Sequence, residues 1–555
     1  MKLFTKSALA GIACAVLIGV NGCKKPIDDL DIIVNTGTLS TTPTLVQFVN
    51  ANTSSTTKLP ENFKVTITGA GASYLQVDGG GNNFTAIKGY LPLSLVKGTH
   101  PSKNNPVTFC ISATLPGFAP ISQTVTLTND NATAPIIKLV EYAKPVSGTT
   151  AVTRETTIST STGTTAVVNI NTPVNNDVDE ATRISIPSGT KMLDAQNNAI
   201  TATQLSSKVV YFSTGNNEAA AAFPGGFDMI NAIGPNGQPI NNASTFVTAG
   251  LLSIDMTAGS TPVKGFSKPV TISMDINPDL VNPQTKQTVK VGDIIPVWSL
   301  NEQTGQWKYE STTTIARNSS NKLSVSFPIT HLSAWCANWY STNCGSDLNV
   351  TLHIPNTNED INGDYQISLV TANNQPVASY ITSNINDGFK AVLSNFPSDA
   401  GDLKVIVYSN TSNGLTKLGE TSFFSACGRG SVDVTLSGLA TVDYVKTNVK
   451  VTARCTNQQV VAQPSTWLTL KDNTSGQSIN IYMTNGVSSA NLINGHSYSI
   501  STTFAGKNYN SASFKLDKAT GVNIPSVDGL SGTANYDQTA DAITVEAKFV
   551  LENCN

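Results

Sequence analysis

Leu348-Asn349-Val350-Thr351-Leu352-His353-Ile354 alternates apolar and polar side chains without a break. A period of two is that of an extended strand with one face on a core and the other in water. A helix would scatter the same apolar residues around its axis. The pattern recurs in both directions. Upstream, Phe63, Val65 and Ile67 alternate with Lys64, Thr66 and Thr68, and Thr108-Phe109-Cys110-Ile111 and Val125-Thr126-Leu127 read as further strands. Downstream come Val432, Val434 and Leu436, then Val449, Val451 and Ala453, and the chain closes on Ile543, Val545, Ala547, Phe549 and Leu551. Helical patterning is confined to one or two turns at 217–222. The expected fold class is all-β, a series of tandem β-sandwiches.

Length and composition agree. The chain has 555 residues, which at about 150 per domain implies three or four domains. Charged residues make up 13%, about half the usual share of a soluble domain. Ser, Thr, Asn and Gly carry the polarity instead, Thr favouring strands and Asn and Gly favouring turns. A net charge of −3 provides no basic field for nucleic acid.

The expected boundaries follow from composition shifts. Residues 1–22 read as a signal, 23–40 as a tether and 41–142 as a first sandwich. A Thr/Ser/Gly stretch at 143–163 reads as a linker and a first target for proteases, as does the tether. A larger β-domain then spans 164–343, and two more sandwiches follow at 344–440 and 441–555.

The first 22 residues specify an address. Lys2 and Lys6 open the chain, an apolar stretch covers 8–20, and Val20-Asn21-Gly22-Cys23 ends it. This is the layout of an export signal, and the stretch is shorter than the roughly 20 residues of a spanning helix. The chain resembles the bacterial lipoproteins, in which the Cys after the cut carries lipid. That resemblance implies lipidation of Cys23 and a membrane partner through the lipid. Lys24 and the Asp28-Asp29-Leu30-Asp31 cluster resemble the signals of lipoproteins sent to the outer membrane and displayed outside.

Six cysteines remain outside the signal and the lipid site: Cys110, Cys336, Cys344, Cys427, Cys455 and Cys554. In an oxidising compartment an even count points to disulfides. Cys455 and Cys554 end strand-like runs in a region with no other cysteine, so they are expected to pair. Cys427 is expected to pair with Cys344 or Cys336, leaving Cys110 as a buried thiol. The histidines, His100, His331, His353 and His496, are scattered. No metal site and no cofactor is expected. Oxygen-bearing residues crowd Asn358–Asp364, but the closing Glu of a calcium loop is absent, and a polar turn is expected.

The segment from Ile186 to Trp335 carries Ile186-Pro187-Ser188-Gly189-Thr190, the Trp298 and Trp307 pair around Thr304-Gly305, and His331-Leu332-Ser333 before Trp335. This set resembles the module of cartilage intermediate layer protein and, more distantly, ZU5- and GAIN-like folds. The region ending near Ala426-Cys427-Gly428 is similar to carboxypeptidase-regulatory-like sandwiches. The resemblance implies a fold and a surface setting. It also implies one sharp alternative, self-cleavage of the Leu332-Ser333 bond with Ser333 as nucleophile and His331 as base.

Four of five tryptophans lie between 298 and 339. Trp298, in an apolar run, is expected in a core. Trp307 and Trp339 are expected to be exposed and are the candidates for a sugar-stacking surface. The leading functional expectation is a non-catalytic surface lipoprotein, an adhesion or interaction scaffold whose partner is a glycan or a surface protein. The alternative is a carbohydrate-binding component of nutrient uptake. No catalytic spacing such as G-x-S-x-G or H-E-x-x-H occurs. Changing Cys23→Ser should move the protein from the membrane to the soluble fraction; unchanged partitioning, with no lipid mass on the N-terminal peptide, would refute the anchor.

Overall fold

The computed structural model describes residues 32–35 and 40–551, apart from 79, 227–228, 230–231, 241–243, 356–359, 412, 440–441, 457–459, 505–506 and 519–520. Cys23 and Cys554 lie outside the described residues, as does the side chain of Cys455. The described chain is nearly all strand, with one short α-helix, Asn217–Ala222, where helical patterning was expected. Asn216 caps it through its side-chain oxygen, accepting from the N–H groups of Glu218 and Ala219.

The first sandwich packs Ile136–Leu139, Ser40–Asn50, Tyr90–Val96, Thr85–Ile87 and Asn62–Lys64 against the sheet of Thr66–Thr68, Val107–Ala113 and Ile121–Leu127. The alternating run from Phe63 to Thr68 is therefore not one strand. It changes sheets at Val65, which is buried in the core between them.

The second sandwich is larger. One sheet runs Thr149–Thr157, Gln204–Phe212, Ser244–Ala258, Ala334–Thr342, Ile294–Asn301, Gln306–Thr314. It faces Val168–Asn171, Thr182–Ile186, Gly265–Asp275, Leu323–His331 and Ala316–Arg317. Two cores flank the first sheet. Val297, Trp335, Ala337 and Trp339 belong to the core between the sheets. Trp298, Trp307, Ala334 and Cys336 belong to a separate core on the outer face. The outer core also takes Ala219 and Ala222 of the helix, and Ala51, Ala119 and Val140 of the first sandwich.

Two expectations about connections are corrected. The 143–163 stretch is not a free linker, because Thr149–Thr157 pairs along its whole length with Gln204–Phe212. Its threonines are strand-formers, and Thr149 and Thr150 are buried, so composition alone misled. The second sandwich accordingly begins before 164. The 23–40 tether is not wholly free either, since Ile32–Asn35 pairs in parallel with Val460–Gln463 of the last sheet.

In the third sandwich Leu348–His353 lies between Lys390–Leu393 and Ser431–Thr435. The opposing sheet is Pro376–Ile385, Ile361–Thr371, Asp402–Thr411, Gly414–Glu420. Cys344 and Cys427 form a disulfide, with Cα atoms 5.4 Å apart. In the last sandwich Tyr444–Cys455 runs parallel to Ala542–Leu551, setting the backbone of Cys455 opposite Leu551.

The sandwiches do not form an extended string, because the first one touches all the others. Thr68 donates to the Gln303 carbonyl of the second, Thr53 to the Thr411 carbonyl of the third (2.7 Å), and Thr466 of the last to buried Asp78 (2.6 Å). The tip of the Ile294–Asn301 and Gln306–Thr314 hairpin presses on the first sandwich at Gly305. Its φ is +68°, and a Cβ there would sit 2.8 Å from Cys110 Sγ. Gly305→Ala should therefore cost about 1–3 kcal/mol in chemical denaturation. The cost should shrink in a Cys110→Ala background; strictly additive losses would show that the tip does not bear on Cys110.

Candidate functional site

The tryptophans expected at the surface are in the cores. Trp307 is 0% and Trp339 1% exposed, which removes both as a sugar platform. The cause is that the sheet carrying them is covered on both faces. Trp307 stacks on Phe223 (centroids 5.9 Å apart) and meets Phe246 edge-on at 5.1 Å. The Phe223-Pro224-Gly225 loop lies so close that a Cβ on Gly225 would be 2.9 Å from the Trp307 ring. Trp339 donates its indole N–H to the Ile294 carbonyl at 2.9 Å. Trp298 is buried as expected.

His331 and Ser333 are close in the chain but are not joined as nucleophile and base. Ser333 is buried rather than exposed, and its hydroxyl donates to the Leu300 carbonyl on a neighbouring strand. His331 lies over Trp335, with ring centroids 4.9 Å apart, and its Nε2 is 3.8 Å from Glu310. Burial holds the His331 imidazole below its usual pKa, against the pull of Glu310.

Among the candidate disulfide cysteines, Cys427 takes Cys344 as partner, one of its two expected choices. Cys336 is corrected: it is a buried free thiol in the outer core. Cys110 is also a free buried thiol, with its sulfur 3.2 Å from Ser122 Oγ. Of the acidic run at 358–364, Asn358 and Glu359 lie outside the described residues. Asp360 accepts from Asn386 at 2.7 Å, and Ile361 to Asp364 enter a strand rather than a turn. Among the described residues no group of three His, Cys, Asp or Glu side chains converges as for a metal.

Two open clefts lie where sandwiches meet, a position typical of ligand sites. One, of about 630 Å³, lies where all four sandwiches meet, with Phe223, Tyr380, Phe389 and Trp467 in its lining. The other, of about 760 Å³, lies between the second and third. The second sandwich supplies Ser147, Asp177 and the 215–218 segment to it, and the third supplies Asn374, Lys404, Tyr408, Asn413, Lys417 and Glu420. Sequence reasoning missed this cleft, since its walls are more than 150 positions apart for most pairs and no motif joins them.

The walls of the second cleft are positioned from below. Lys138, on the strand Ile136–Leu139 of the first sandwich, is buried and donates to Gln366 Oε1 at 3.4 Å. Gln366 in turn donates to the Asn217 carbonyl (3.1 Å) and to Ser368 Oγ (3.1 Å). Glu218 and Asp364 carry the charges that face Lys138. Burial lowers the pKa of Lys138 and raises those of Glu218 and Asp364, while their mutual attraction opposes both effects. Asn217 Nδ2 reaches the Tyr408 hydroxyl at 3.4 Å across the cleft floor.

No protein-family model matches the chain, and no curated protein matches it. Among solved structures, the chain is similar to the shaft pilin SpaA of Lactobacillus rhamnosus GG at 10% identity, covering 39% of this chain and 100% of that one with a TM-score of 0.15. It is similar to the pilus adhesin SpaC of the same organism at 11% identity, covering 75% and 55%, with a TM-score of 0.15. For the minor pilin of Streptococcus agalactiae the figures are 10% identity, 38% and 99% coverage, and a TM-score of 0.14. Similarity at this level decides no function.

One carboxyl makes stability depend on pH. Half-buried Glu302, at the hairpin tip that meets the first sandwich, has its pKa pushed up to about 7 by burial, with Asp255 adding and Lys264 opposing. A carboxyl with a raised folded pKa stabilises below its unfolded pKa, near 4.5, and that contribution is lost as pH rises through about 7. Wild type should therefore lose on the order of 2 kcal/mol relative to Glu302→Gln between pH 5 and pH 8. Denaturant titrations of both proteins check this; a pH-independent difference would refute it.

Proposed function

We propose that this protein is a non-catalytic, lipid-anchored surface protein that serves as an interaction scaffold. The export signal and Cys23 support the anchor, and the residues after Cys23 support an outer-membrane address facing the exterior. The single observation that carries the scaffold is the way the other three sandwiches pack around the first one. That packing leaves two open clefts of about 760 and 630 Å³ at the junctions. A rigid cluster with grooves at its seams presents fixed surfaces at low ordering cost, which favours binding.

The ectodomain, residues 24–555 on beads, is expected to retain partners from arrays of immobilised glycans and purified surface proteins. It should release neither reducing sugar nor peptide from them. Reproducible turnover by the wild type would replace the scaffold by an enzyme. Two fragments meeting at Ser333, abolished in Ser333→Ala, would make the second sandwich a self-cleaving module.

A further inference from the structure

We propose that the cleft between the second and third sandwiches binds a neutral polyhydroxyl ligand, a short oligosaccharide, gripped between Asn217 on one wall and Asn413 on the other. This gives the interaction scaffold a ligand class, and it rests on that reading.

Size and position come first. About 760 Å³ falls within the roughly 300–1,000 Å³ of small-molecule sites, and domain junctions are favoured places for them. Charge then narrows the ligand. On the third-sandwich wall Lys404 and Lys417 both reach Glu420, at 3.0 and 2.7 Å. An anion would have to break these pairs to use either amine. On the opposite wall Asp177 and Glu218 would repel it. A metal cation is poorly served too, because the described carboxylates do not converge in a group of three. A neutral ligand meets neither obstacle.

Hydrogen-bonding chemistry narrows it further. Carboxamides offer a donor and an acceptor on one flat group, which matches neighbouring hydroxyls that each donate and accept. Asn217 contributes its Nδ2, 3.4 Å from the Tyr408 hydroxyl. Asn413 lines the cleft from the third sandwich, in an exposed turn. At the rim Lys404 Nζ lies 5.3 Å from the centre of the Phe423 ring, which is 46% exposed. That ring offers an apolar platform beside a polar cleft, and a sugar has an apolar C–H face beside its hydroxyls.

The test uses the full ectodomain with glucose, galactose, N-acetylglucosamine, maltose, cellobiose and lactose as probes, followed by calorimetry and ligand-observed NMR. Inorganic phosphate is the anionic probe. At least one neutral sugar should bind at millimolar concentration or below. Asn217→Ala and Asn413→Ala should each weaken it about tenfold or more, with the unfolding midpoint unchanged. Phosphate should not bind the wild type. It should bind Glu420→Gln, in which Lys404 and Lys417 are released. If Asn217→Ala does not fold, the exposed Asn413→Ala carries the comparison. Failure of every neutral sugar, sugar binding that survives the asparagine changes, or phosphate binding to the wild type overturns the assignment. Array capture that persists in both variants overturns the cleft and leaves the scaffold standing. Turnover of a bound sugar overturns the scaffold and leaves the cleft as a substrate site.

Discussion

The strand Ala334–Thr342 has almost no solvent face over its first six residues, and much of the molecule follows from that. Trp335, Ala337 and Trp339 point into the core between the sheets, while Ala334 and Cys336 point into the outer core. A sheet buried on both faces needs a cover on its outer side. Here the cover is the helix Asn217–Ala222, the loop after it, and apolar residues of the first sandwich. Large aromatic side chains bury about 150–250 Å² each, at roughly 25 cal/mol per Å². Lifting the cover from Trp298 and Trp307 would therefore cost several kcal/mol. The first two sandwiches thus share part of one apolar core.

The charged junction beneath the second cleft acts differently. Lys138, Glu218 and Asp364 come from three separate sandwiches, and each is poorly solvated there. Burying such charges adds little net stability, since desolvation offsets their attraction. The geometry instead discriminates among dockings, because a shifted arrangement would strand a charge without its counterpart. Gln366 extends the same network to the backbone of Asn217. The residues that line the cleft from the second sandwich are thus held by the contact that orients the third.

The fold class was legible in the sequence because strand periodicity is a property of neighbouring residues. Leu348 to Ile354 alternate, and the strand that they form has one face in a core and one outside. The short helix was legible from its patterning, and its Asn216 cap is equally local. The pairing of Cys427 was legible down to two candidates, and proximity of Cys344 within the same sandwich separates them. Phe63 to Thr68 marks a limit, since alternation persists across a change of sheet at Val65. Thr149–Thr157 marks another, since the same threonines suit a loop in solution and a strand beside a partner.

What the sequence by itself determined is the predominance of strands, with one short α-helix among the described residues. Those features are written in stretches of six to twenty residues. Tertiary structure alone decided that Trp307 and Trp339 are core residues, that Cys336 is a free thiol, and that Ile32–Asn35 closes onto the last sheet. It also decided that Asn217 and Asn413 line the same cleft. The physical reason is common to all of these. Burial of a second sheet face, and the meeting of two walls, depend on contacts between residues tens to hundreds of positions apart, and local patterning carries no record of them.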